Sequence, residues 1–201
     1  MQKGISDMRN ENGELSNLVA EFRESKLLKS RTLFLSEAVD ASVARHVISD
    51  LLILNADSHE PIKLFINSPG GEVNSGFAIF DTIRFIESDV WIVNAGLCAS
   101  IATIVNIAAK KEHRFSLPNA KFLIHQPLIG GHFQAVASDL EIHAAQIIKT
   151  REKINELLAL ECGQPLKKVE QDTTRDYWMD AAEALEYGLI SKVITRQSEL
   201  K

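Results

Sequence analysis

Ile62-Lys63-Leu64-Phe65-Ile66-Asn67-Ser68-Pro69-Gly70-Gly71 joins a mostly apolar run directly to five residues of turn chemistry. Such a run, bounded by Asn, Ser, Pro and Gly, reads as a strand ending in a tight turn. Beyond it, Phe77, Ile79, Phe80, Ile83 and Ile86 recur at helical spacing across residues 75–87. Strand, turn, helix is the unit, and it repeats on both sides. Upstream, residues 31–35 read as a buried strand. Asp40 then stands as N-cap to a helix carrying Val43, Val47, Ile48, Leu51 and Leu52, and Pro61 ends that unit. Downstream, residues 90–93 read as a strand, Asn94-Ala95-Gly96 as a turn, 100–109 as a buried helix and 121–124 as another strand. This order predicts an α/β fold of stacked βαβ units with a parallel sheet and right-handed crossovers.

The C-terminal third reads differently. Ser138 and Glu141 have capping-box spacing and open a long helix to about Glu161, closed by Gly163 and Pro165. Its length predicts a helix that projects from the body, so Leu140, Ile147, Ile148, Ile154, Leu157 and Leu158 need a partner surface. Asp180 caps a last short helix ending at Gly188, and Val193-Ile194 forms a final strand.

Bulk properties narrow the class. The 201 residues suffice for one core, and a net charge of -5 with scattered Lys and Arg gives no footprint for nucleic acid. Cys98 and Cys162 are too few for a disulfide framework and fit no metal spacing, as expected of a cytoplasmic protein. The polar residues 1–24 read as a flexible arm with a frayed helix and no signal-peptide core. The longest apolar stretch, residues 99–109, is far short of the about 20 residues a membrane span requires. The organisation expected is an arm over 1–24, one domain over 25–195 and a tail over 196–201.

Open parallel sheets present ligands at the carboxyl ends of their strands. Pro69-Gly70-Gly71 and Gly96-Leu97-Cys98-Ala99-Ser100 both lie there. Outward N–H groups in such turns, with a following helix N-terminus, stabilise an oxyanion; the plain alternative is a tight turn. No phosphate-loop glycine pattern follows either strand, so nucleotide binding is unsupported. Ser100 stands at a helix start, as a nucleophile or simply as an N-cap. Of six histidines, His125 ends a strand and emerges at the same sheet edge; His113 and His132 compete with it as the base. Asp172 and Asp176 both qualify as the carboxylate that orients the imidazole, and spacing does not choose between them.

Taken together, Ile66-Asn67-Ser68-Pro69-Gly70-Gly71, the Gly-x-x-Ala-Ser segment ending at Ser100, Ile124-His125-Gln126-Pro127, residues 137–144 and Asp172-Thr173-Thr174-Arg175-Asp176 resemble the proteolytic subunit family of the Clp protease. The resemblance covers residues 31–195. It implies a crotonase-like fold with a projecting handle helix. It implies that Ser100 is nucleophile, His125 general base and Asp176 its orienting acid, with backbone N–H groups of Gly71 and Ile101 as oxyanion donors. Extended substrate is expected between a strand after Gly71 (Glu72, Val73) and one after His125 (Leu128), a β-augmentation mode suited to unfolded polypeptides. Further implications are heptameric rings stacked as a tetradecamer, Arg175 pairing across rings, and an AAA+ unfoldase of the ClpX, ClpA or ClpC type. That partner would consume the ATP, leaving this chain with no cofactor and no metal.

The sequence departs from the family pattern in several places, including Leu97-Cys98 where smaller or polar residues are usual. Residues before 25 lack an Arg-rich, tyrosine-containing start, Ala102 stands where Gly is usual, and residues 128–136 run about two longer. Lys63 replaces an aromatic residue at the docking pocket, while Phe65 keeps its neighbour. This pattern fits one of two paralogous subunits. Two other readings compete: a catalytically silent ring-building subunit, and an acyl-CoA enzyme of crotonase type, which needs no Ser-His-Asp set.

Overall fold

The computed structural model describes residues 18–19, 21–128 and 136–200. The arm expected over 1–24 lies largely outside these residues, as does most of the 128–136 segment. A helical stretch over residues 21–29 leads into β1 (Thr32–Leu35), α1 (Ala41–Asp57), β2 (Ile62–Ser68), α2 (Val73–Phe85), β3 (Val90–Ala99) and α3 (Ile101–Asn106). Asp40 caps α1 as expected, its carboxylate accepting from Val43 N at 2.8 Å. Ala44, Val47, Leu51 and Leu54 form the buried stripe of that helix at three- and four-residue spacing. Ile62, Leu64 and Ile66 of β2 are fully buried, each contributing about 1.5–3 kcal/mol of burial free energy.

Among the described residues the sheet has seven strands: with β4 (Arg114–Ser116) and β7 (Lys192–Val193) the order is β1-β2-β3-β4-β7, while β5 (Lys121–Ile124) pairs with β3 and β6 (Tyr177–Asp180) with β5. All pairings are parallel except β5 with β6. The chain is therefore α/β, built of stacked βαβ units. Two strands escaped the sequence reading, β4 (Arg114–Ser116) and β6. Both are short, and β6 carries the mixed run Tyr177-Trp178-Met179-Asp180.

The turn expected at Asn94-Ala95-Gly96 is not a turn. β3 runs through it for ten residues, and the register against β2 slips there: Ile66 faces Asn94, but Ser68 faces Cys98. The bulge is pinned by Asn67, whose Oδ1 accepts from Leu97 N at 2.9 Å. Gly96 has φ 136°, and a Cβ on it would lie 2.4 Å from that same oxygen. Across the bulge β3 changes partner. Ile92, Val93 and Asn94 pair with β4, whereas Leu97, Cys98 and Ala99 pair with β5. The helix expected over 100–109 is also shorter, α3 ending at Asn106.

The long helix α4 spans Ala137–Cys162, one residue beyond the expected limits at each end. The Ser138/Glu141 capping box does not form: Val136 is the N-cap and Ser138 lies inside the first turn. Gly163 closes the helix in the left-handed region, as expected. All four buried residues of α4 (Ile154, Asn155, Leu158, Cys162) lie in its second half, so the first half projects. Helix α5 (Leu166–Asp172), then α6 (Ala181–Tyr187) and β7 (Lys192–Val193) complete the body. Asp180 caps α6 in a capping box with Glu183.

One ion cluster ties α4 to the sheet. Arg114 is 1% exposed and donates to Ala109 O, Ile107 O, Glu161 O and the Glu161 carboxylate. Arg84 of α2 donates to the other Glu161 oxygen at 2.5 Å. Burial pushes the Glu161 carboxyl up, but hydrogen bonds and charge from Arg84 and Arg114 outweigh it and hold the group below its usual range. A depressed carboxyl stabilises the fold above its unfolded value, and that contribution is lost as pH falls through the lower folded value. Glu161→Gln should therefore cost about 3 kcal/mol at neutral pH and narrow the stability difference between neutral and acid solution. Denaturant melts of both proteins at the two pH values measure this.

Candidate active site

Ser100 sits alone between the last residue of β3 and the first of α3, with φ 56° and ψ -128°. A left-handed backbone at a residue with a Cβ is strained by about 1–3 kcal/mol and persists only where its surroundings over-determine it. Here Ser100 N donates to Leu123 O at 2.8 Å, and Ser100 O accepts from Thr103 N and Thr103 Oγ1. The capping alternative fails, because the Ser100 side chain makes no cap hydrogen bond. Its Oγ instead lies 2.8 Å from His125 Nε2.

Partner exchange by β3 explains this approach. Leu97, Cys98 and Ala99 lie beside Lys121, Phe122 and Leu123, so the residues just beyond each strand end emerge together. His125 follows Ile124, and its side chain is 18% exposed. Its Nδ1 faces Asp176 Oδ1 at 3.7 Å, within ion-pair reach but beyond a normal N–H···O hydrogen bond. Asp176 is 66% exposed, immediately ahead of β6. With Nδ1 protonated, the imidazole presents an acceptor at Nε2 to the Ser100 hydroxyl and a donor to the carboxylate.

The two aspartates left open by spacing differ in their contacts. Asp172 ends α5 and accepts from Lys168 Nζ at 2.6 Å and Tyr187 OH at 3.0 Å. Burial, with the Asp172 carboxylate beside it, pushes the Tyr187 phenol up. Asp172 is thus part of the α5–α6 packing, and Asp176 alone of the two faces the imidazole. Of the rival histidines, His113 packs against Trp91 at 5.5 Å, and His132 lies outside the described residues. Cys98, two residues before Ser100, is fully buried, and burial pushes its thiol up and away from thiolate chemistry.

Above Ser100 lies the Pro69-Gly70-Gly71 turn, anchored by the buried Ser68 hydroxyl, which donates to Glu37 O and accepts from Gly70 N. Gly70 has φ 84°; a Cβ there would stand 2.5 Å from Ala99 O and 2.7 Å from Ser100 Cβ. The backbone can close over the serine only because that position is glycine. Val39 N donates to Gly70 O and Glu72 N to Val39 O, so neither bond uses the Gly71 N–H. Ile101 opens α3, where the first N–H groups have no intrahelical acceptor.

The expected strand after Gly71 is absent. Glu72 is the N-cap of α2 and Val73 its first residue, because Gly71 makes only an isolated bridge to Val39 before the helix begins. No strand follows His125 up to Leu128, which is 69% exposed; the next residues lie outside those described. Arg175 is exposed. An apolar recess beside Ser100 and His125 is lined by Val73, Ile104, Ile124, Pro127, Ile154 and Leu158. Sequence reading missed Asn67, the residue that sets the bulge; its signal was a lone amide between the apolar run and Ser68-Pro69. Among the described residues, no group of His, Cys, Asp and Glu is placed to hold a metal ion. None of the described helices is long and apolar enough to cross a membrane.

Known proteins share this sequence and fold. The Clp protease family model matches residues 17–197. ATP-dependent Clp protease proteolytic subunit 2 of Treponema pallidum is 47% identical over 176 residues, 87% of each chain. Proteolytic subunit 3 of Rhizobium johnstonii is 44% identical over 177 residues, 88% of this chain and 90% of that one. A solved structure of a ClpP1 variant from Listeria monocytogenes superposes with a TM-score of 0.81 at 40% identity, covering 88% of this chain and 98% of the other. The family-model match over residues 17–197, the identities to these relatives and the shared fold show that the chain belongs to the Clp protease family and is a peptidase subunit.

Proposed function

We propose that the chain hydrolyses peptide bonds of unfolded polypeptides by a Ser-His-Asp mechanism. The observation that carries this is the 2.8 Å contact between His125 Nε2 and the Oγ of a serine that is held in a strained backbone and caps nothing. His125 Nε2 accepts the Ser100 hydroxyl proton as Oγ bonds to the scissile carbonyl carbon. The carbonyl oxygen takes the electron pair and faces the N–H groups of Gly71 and Ile101. The imidazolium then protonates the leaving amine nitrogen, the C–N bond breaks, and an ester to Ser100 remains. Water, deprotonated by His125, attacks that ester and frees Ser100. Asp176 holds the imidazole orientation and stabilises its cationic form. The substrate backbone passes between the Gly71–Glu72 corner and Leu128, with Val73 in the wall of an apolar recess for the side chain next to the scissile bond.

The assembly reading is two heptameric rings stacked face to face in the cytoplasm, enclosing the sites. The projecting half of α4 exposes Leu140, Ile142 and Ile148, apolar surface suited to the opposite ring, with Arg175 beside the active-site turn. An AAA+ unfoldase of the ClpX, ClpA or ClpC type feeds the chamber and consumes the ATP. A groove lined by Phe34, Lys63, Phe65, Trp91, Val93 and Leu117 is the docking surface. Lys63 Nζ donates to Ser30 O at 3.2 Å, so a cation occupies its rim.

A second reading has its own support. The 3.7 Å gap to a mostly exposed Asp176 fits a subunit that is weak or silent alone and gains activity with a paralogous partner. Under the main reading, Ser100→Ala abolishes peptide hydrolysis and fluorophosphonate labelling, a loss on the order of 10⁶, while assembly is retained. Asp176→Asn lowers kcat by about 10⁴. Native mass spectrometry with peptidase assays, alone and with a paralogue from the same genome, separates the two readings. Full activity of a homomeric tetradecamer excludes the silent-subunit reading; wild-type chain that stays unlabelled in an assembled mixed ring excludes the catalytic one.

A further inference from the structure

The turn that carries Asp176 is held by three residues outside the triad. Gln126, the neighbour of His125, donates from its backbone N–H to Thr173 O at 2.7 Å and from its side-chain amide to Thr174 O at 2.8 Å. The strand end bearing the imidazole and the turn bearing the carboxylate are thereby clamped two and three residues ahead of Asp176. Thr173 itself is 1% exposed, and its Oγ1 lies 2.9 Å from both Val169 O and Asn155 Oδ1. Asn155 is 4% exposed on the body half of α4, between Ile154 and Leu158 of the recess wall.

A hydroxyl carries one proton, so Thr173 cannot donate to both oxygens at once. If it donates to Val169 O, the Asn155 amide satisfies the pair by turning its NH₂ toward Oγ1. Both groups are buried, and losing either partner strands the other without solvent. A buried amide on a face of α4 otherwise made of Ile154, Leu158 and Cys162 is costly without this partner.

We infer that Asn155 is a positioning residue: through Thr173, and with Gln126 as the clamp on the other side, it sets the distance between Asp176 and His125. This rests on the Ser-His-Asp reading above. It makes α4 a structural input to the site, since the same turn of helix supplies the recess wall and fixes the carboxylate.

Steady-state kinetics on the assembled full-length chain test this. Thr173→Val, which keeps shape but removes the hydroxyl, lowers kcat on the order of 10- to 10²-fold with little change in KM. Thr173→Ser restores most of it, and Asn155→Ala behaves like Thr173→Val. Gln126→Ala, a part-exposed change that leaves the core intact, gives a smaller loss in the same sense. The deciding readout is the double-mutant cycle with Asp176→Asn: each change loses its effect when the carboxylate is already gone. Equal fold losses with and without Asp176 overturn the inference and leave a merely structural role, as does full activity in both Thr173→Val and Gln126→Ala. Wild-type chain that is neither active nor labelled by fluorophosphonate in any assembled ring overturns the underlying mechanism, and this inference with it.

Discussion

The whole site depends on one irregularity, the two extra residues by which β3 slips against β2 between Asn94 and Cys98. A regular strand would keep β4 as its neighbour to the end and carry Ser100 away from β5. The slip is stabilised by a single amide oxygen, Asn67 Oδ1 on Leu97 N, in a space that only glycine at position 96 leaves open. Bulges that redirect a side chain are a recurrent device beside active sites. Here the bulge also changes the strand's partner, so one local defect brings the Ser100 hydroxyl and the His125 imidazole to the same edge.

Strain at Ser100 follows from the same arrangement. Its N–H and C=O are each committed, to β5 on one side and to the first turn of α3 on the other, and these bonds offset the cost of φ 56°. The glycine turn above it adds a close backbone ceiling that a side chain at position 70 would push away. A serine released from this frame would find a helix-capping conformation, with its oxygen on a backbone N–H rather than on the imidazole. The frame therefore selects between the two roles that any serine at a helix start can take.

This explains what was legible in advance. The βαβ order, the Asp40 and Asp180 caps, the Gly163 stop and the length of α4 depend on local chemistry, and local chemistry is written in adjacent residues. Asn94-Ala95-Gly96 was misread because composition alone does not distinguish a turn from a bulge: both use glycine, and the difference lies in Asn67, far away in sequence. β4 and β6 are too short for periodicity to mark. The Ser138/Glu141 spacing was present without its box, because the N-cap is Val136, two residues earlier, which places Ser138 inside the helix. Neither spacing nor composition separates Asp172 from Asp176. The family resemblance points to Asp176, and the contacts of Lys168 and Tyr187 with Asp172 supply the physical distinction.

The solvent exposure of Asp176 bears on how an isolated chain and an assembled one differ. At 3.7 Å, a carboxylate and an imidazolium attract by about 1 kcal/mol in water but by about 4 kcal/mol at an effective dielectric of 20. Covering the turn would bring this gain, offset by the cost of desolvating the carboxylate. The side chain of His125 is already mostly buried, so the missing element is a lid over the acid rather than over the base. In the assembly proposed above, Arg175, adjacent and exposed, pairs with an opposite charge across the rings, and that contact covers the turn. In the proposed assembly, covering that turn favours the imidazolium only as far as the stronger attraction exceeds the cost of desolvating the carboxylate, and it acts on the same turn that Asn155 is inferred to hold.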